Sequence, residues 1–158
     1  MKTIQKNKFK FSRPTATVAA VILAMLCLAS SGCSTFNRDW KRVGTAARPS
    51  GVEGRWEGTW TSDANGHSGA LRCLLEKVSE EKYRARFDST YKKVLHFKST
   101  VLLHGTNDVA GIRFDGEAKL PWWAGGIYRY EGKATATNFF STYNNKYDHG
   151  TFQMTRPE

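Results

Sequence analysis

The chain has 158 residues and a formal charge of +10, from 24 Lys and Arg against 14 Asp and Glu. The charge is unevenly placed: residues 1–32 carry five basic side chains and no acid, residues 33–53 four against two, and residues 54–158 fifteen against twelve. A nucleic-acid binder concentrates positive charge in its folded domain to neutralise phosphates, so this distribution argues against that class and for targeting.

Lys2, Lys6, Lys8, Lys10 and Arg13 precede an uncharged apolar run from Thr17 to Ala29, about a dozen residues long. A spanning helix needs roughly 20 apolar residues, so the run is too short for one. A basic start, a short apolar middle and a small-residue end make an export signal, and the basic flank stays cytoplasmic. The run ends Leu28-Ala29-Ser30-Ser31-Gly32-Cys33-Ser34. This resembles the lipobox of bacterial lipoproteins, with Ser30 where the commonest form has Leu. The resemblance implies a signal peptide over 1–32, cleavage before Cys33, and a diacylglycerol thioether with palmitate-type chains on that cysteine. The protein would then be exported to the cell envelope and held on a membrane. Ser34 after the cysteine resembles an outer-membrane sorting signal more than retention at an inner membrane. The alternative is an ordinary secretory signal cut nearby, leaving Cys33 a free thiol.

Of three cysteines, Cys27 would leave with the signal, and if Cys33 carries lipid, Cys73 has no disulfide partner. Residues 33–53 read as a lipidated tether, rich in Gly, Pro, Ser, Ala and Arg and without a sustained apolar period. As flexible coil, such a tether reaches roughly 25 Å. Phe36 and Trp40, flanked by Arg38, Lys41 and Arg42, suit a lipid headgroup layer. Chance aromatics in an unstructured tether are the alternative.

From Gly54 onward the pattern is period two, with turn residues between segments. Trp56, Gly58 and Trp60 alternate before the Asp63-Ala64-Asn65-Gly66 turn. Leu71, Cys73 and Leu75 share one face, as do Tyr83, Ala85 and Phe87. Leu95, Phe97, Ser99, Val101 and Leu103 form a long alternation, and a turn is expected at Thr106-Asn107-Asp108. Ala110, Ile112 and Phe114 follow, then Tyr128 and Tyr130, then Phe139, Ser141 and Tyr143, and finally, after Asn144-Asn145, Phe152, Met154 and Arg156. About eight closely spaced strands predict an all-β antiparallel meander over 54–158, and its edges must be closed or covered. A small closed or nearly closed barrel fits the count, and a two-sheet sandwich is the rival.

Gly54-Arg55-Trp56 resembles the Gly-x-Trp opening of the lipocalin-like (calycin) barrels. The resemblance implies that Trp56 packs against a cation from the last strand, here Arg156, to close the barrel base. A guanidinium stacked on an indole is favourable, which gives the pairing its physical reason. The disulfide and later motifs of typical lipocalins are missing. The domain is also similar to small bacterial lipoprotein domains that open Trp-x-Gly-x-Trp.

Signs of chemistry are sparse. His67, His96, His104 and His149 lack close metal-ligand spacing, and His96 and His104 stand about 26 Å apart along an extended strand. His67-Ser68-Gly69 is not a nucleophile elbow. Glu80-Glu81 and Asp115 with Glu117 sit at expected strand ends, where exposed acids are ordinary. Cys73 reads as a small buried hydrophobe. No enzyme activity, metal or cofactor is expected. Leu120-Pro121-Trp122-Trp123-Ala124-Gly125-Gly126 predicts an irregular loop in which both tryptophans cannot face inward. Trp122 and Trp123, with Tyr128 and Tyr130, are therefore the candidate contacts for a small apolar ligand in or at the barrel mouth, or for an envelope protein. The other expectation is a filled core, with the indoles folded over the barrel end and no ligand.

Overall fold

The computed structural model describes residues 35–47, 49–120, 122 and 125–158. The expected signal peptide 1–32, the lipidation site Cys33, and Trp123 lie outside the described residues. Eight strands form a closed antiparallel barrel in chain order: β1 Gly54–Ser62, β2 Ser68–Ser79, β3 Lys82–Tyr91, β4 Leu95–Asp108, β5 Gly111–Lys119, β6 Ile127–Ala134, β7 Asn138–Asn144 and β8 His149–Thr155. The fold is thus the meander barrel rather than the two-sheet sandwich. Closure runs through β1 and β8, with Gly58 opposite Met154 and Trp60 opposite Phe152. A Cβ on Gly58 would run into the Gln153 carbonyl and the Met154 backbone, so the absent side chain lets the first and last strands meet.

The inward positions carry the core. Trp56, Leu71, Cys73, Leu75, Ala85, Val101, Leu103 and Phe114 pack as one buried cluster with Tyr130, Phe139, Tyr143 and Met154. Successive strand residues point to opposite faces, so the period-two pattern becomes inside and outside of the barrel wall. One turn moves: β4 continues through Thr106, Asn107 and Asp108, and the chain reverses at Val109–Ala110.

Leu95 and Phe97 share parity with the core yet are exposed. Regular pairing of β4 with β5 begins only at Leu102, and that of β3 with β2 reaches only to Ser89. The Leu95–Phe97 end of β4 therefore has no β5 residue beside it and its inner face meets solvent, while β3 there still meets Gly69 and takes the Trp60 indole N–H on the Thr90 carbonyl.

The segment expected as coil contains a helix, α1, over residues 35–45. Phe36, Asp39, Trp40 and Val43, spaced i, i+3, i+4 and i+7, are its less exposed positions. They face the outer wall of the barrel. Phe36 is buried and stacks on Trp40 at 5.8 Å between ring centroids. The Arg72 guanidinium lies 5.3 Å from both rings, and Arg55 lies 5.4 Å from Trp40. Arg86 donates to Asp39 at 2.9 Å, and Arg72 donates to Asn37 at 3.0 Å and to the buried Asp88 at 2.6 Å. Leu74, on the outward parity of β2, is buried along with them. Phe36–Glu158 is one compact unit with its own core and no open sheet edge, which is what an independently folding domain needs.

Candidate functional site

The two ends of the barrel differ. At the base, where β1 begins, Gly54 adopts φ 106°, a conformation strained for any L side chain. Trp56 is fully buried and its indole N–H donates to the Val52 carbonyl at 2.9 Å. The Arg156 guanidinium stacks 4.0 Å from the Trp56 ring centroid and donates to the carbonyls of Gly51, at 2.7 Å, and Glu53. The structure thus brings Trp56 and Arg156 together and adds a role that spacing did not suggest. Arg156 ties residues 51–53 across the base.

The opposite end carries the β1–β2, β3–β4, β5–β6 and β7–β8 connections. Inside it lies a column of rings. Phe87 approaches Phe152 at 5.3 Å and Tyr130 at 6.3 Å, while Tyr143 approaches Phe152 at 5.1 Å and Tyr128 at 6.2 Å. Burial pushes the Tyr130 and Tyr143 hydroxyls well above the ordinary phenol value. Ser62, also buried, donates to Asp148 at 2.5 Å, and Tyr143 donates to the Thr61 carbonyl at 3.3 Å. Asn145 accepts from the backbone N–H groups of Tyr147 and Asp148 at 2.6 Å each, which sets the β7–β8 turn and holds Asp148 over the column.

Of the residues nominated as ligand contacts, Tyr128 and Tyr130 stack on each other at 6.3 Å, and Tyr130 is buried in the column. Trp122 is 86% exposed on the β5–β6 loop. The structure therefore does not gather Trp122 and Tyr130 into one surface. Trp122 instead borders an open groove of about 510 Å³ with Ile127, Arg129, Lys146 and Tyr147. Sequence reasoning passed over the tip of the β3–β4 hairpin, where Val94, Leu95 and Phe97 are exposed. Its available signal was the Lys92-Lys93 pair between two strand patterns.

Several other polar groups are occupied locally. His96 bonds the buried Asp88 at 3.0 Å, and His104 bonds Asp115 at 3.2 Å. Glu117 pairs with Arg129 at 2.8 Å. Burial opposes ionisation of Asp88, but the bonds from His96 and Arg72 outweigh it and leave the carboxyl below its ordinary value. Burial also pushes the Cys73 thiol far up, away from the thiolate a nucleophile needs. Among the described residues, no three His, Cys, Asp or Glu side chains are grouped closely enough to hold a metal ion. Compared with protein-family models, curated proteins and solved structures, the chain matches none.

Proposed function

We propose that this chain is an exported, non-enzymatic lipoprotein of the cell envelope whose barrel is a filled scaffold for the loops at one end. The observation that carries the reading is the contrast between interior and tip. Stacked aromatic rings occupy the barrel interior, while large apolar side chains stand exposed on the connections beside them. A module that works by surface contact needs that arrangement, whereas a carrier needs interior room. The Ser62, Asp148 and Tyr143 polar groups at that end are engaged with one another or with backbone, which favours binding over catalysis. The anchor rests on the basic and apolar segments before Cys33, and Ser34 favours the outer membrane where two membranes exist.

The closed meander and the Trp56–Arg156 stack support the lipocalin-like resemblance, and the stacked rings inside favour a filled interior over a carrier's. A second reading keeps a small apolar ligand at the mouth, and the groove beside Trp122, Ile127 and Tyr147 is its support. Two measurements test these readings. Mass analysis of the N-terminus of protein purified from membranes should find an acylated Cys33, and Cys33→Ala should release the domain. An unmodified Cys33 would sink the anchor. Native mass spectrometry of residues 34–158 should give the bare polypeptide mass, and a retained small molecule would favour the second reading.

A further inference from the structure

Six large apolar side chains stand out at the tip end: Val94, Leu95, Phe97, Trp122, Ile127 and Tyr147. Val94 is 74%, Phe97 58% and Tyr147 68% exposed, and all six lie on the β3–β4, β5–β6 and β7–β8 connections or the strand residues beside them. Val78, Leu102, Val109 and Phe140 are exposed elsewhere, but only the tip groups several large apolar side chains, with two aromatic rings and an indole among them, and such a grouping marks a contact surface.

The charge around them is one-sided. Lys92, Lys93, Lys119 and Lys146 are exposed in these connections or beside them. Among the described residues none of the four pairs with a carboxylate. Of the acids near this end, Asp148 is turned inward onto Ser62 and Tyr143, the buried Asp88 bonds Arg72 and His96, and Glu117 pairs with Arg129, leaving Asp63. At the base the signs are mixed: Asp108 neutralises Lys133 and Arg113, and the exposed Lys77 and Lys82 stand beside the exposed Glu80 and Glu81.

The hairpin turn adds an independent sign. Lys92 and Lys93 both take left-handed backbone angles, φ 49° and 64°, with the Val94 N–H donating to the Tyr91 carbonyl at 3.2 Å. Asn and Gly adopt such consecutive positions far more easily than Lys does. The chain therefore places two cations at the outermost turn against its own backbone preference.

We infer that this end of the barrel docks onto an anionic lipid bilayer, its apolar tips entering the headgroup layer and its lysines meeting lipid phosphates. Buried apolar tips and basic side chains act together in such interfacial binding, and aromatic rings favour that depth. The direction of α1 agrees. Phe36 and Asn37 meet Arg72, whereas Gly44 lies against Arg55, nearer the base, so the first turn of the helix is on the tip side. Cys33 stands three positions before Phe36, at most roughly 11 Å of chain. A lipid on Cys33 would thus be within reach of the same membrane; only this last point rests on the proposed lipidation.

The test uses residues 34–158 without lipid, so failure of acylation cannot affect it. The protein should sediment with vesicles of phosphatidylethanolamine and phosphatidylglycerol, release as salt rises, and ignore neutral phosphatidylcholine vesicles. Lys92→Asn with Lys93→Gly should weaken sedimentation by roughly tenfold while raising the melting temperature, which separates lost binding from lost fold. Phe97→Ser should weaken it with an unchanged circular dichroism spectrum. Equal binding to neutral vesicles, or none to either kind, would overturn the inference. So would retention on peptidoglycan or an envelope protein without vesicle binding.

Discussion

Arg156 lies flat on the indole of Trp56 and directs its N–H groups at the carbonyls of Gly51 and Glu53, so one side chain joins the last strand, the first strand and the segment before it. Lysine in its place would keep the charge but lose the planar stack and the fork. Arg156→Lys is expected to cost about 1–2 kcal/mol, and Arg156→Ala more, with a lower melting temperature by circular dichroism as the check. This pairing was legible only through the Gly54-Arg55-Trp56 resemblance to lipocalin-like barrels, which implies a cation from the last strand on the indole. The depth of Tyr130 was not legible. Strand alternation states which face a ring is on, but not how far along the barrel axis it lies or what stacks above it. The two left-handed lysines were equally hidden, since Lys carries no turn signal of its own.

Helix α1 shows why one element escaped a pattern that revealed eight others. Its inward stripe is short and includes Asp39, so by apolar content alone it reads as coil. The readable clue lay in its partner. Leu74 and Leu75 are adjacent in a strand and both buried, so the β2 wall must be covered on both faces there. Phe36→Ala should remove about 3–5 kcal/mol of docking, visible as faster hydrogen exchange in α1 while the barrel amides stay protected. Acid should release the same contact. The Arg86 bond holds Asp39 below the ordinary 3.8, and Asp88 is also lowered despite burial, through His96 and Arg72. A carboxyl depressed in the folded state stabilises it above the unfolded value, and that contribution is lost as pH falls through the folded value. Undocking of α1 should therefore appear below about pH 3.8, and Asp88→Asn should weaken docking at neutral pH and flatten the acid profile.

For the whole molecule, each strand pairs with its neighbour in sequence, and β1 with β8 supplies the one distant closure. Strand number and alternation suggested the meander. They did not separate barrel from sandwich, because that choice depends on whether the outermost strands can approach, and Gly58 against Gln153 and Met154 decides it. A chain ending before His149 should expose β1 and β7 as open edges and run as aggregates on size exclusion. The same closure bears on the single sulfhydryl of residues 34–158. Cys73 faces the interior with no exposed surface, wrapped on all sides by the wall. An alkylating reagent added to the folded protein can reach it only when the sheet parts, so its labelling rate would act as a native clock for whole-barrel opening, needing no engineered probe.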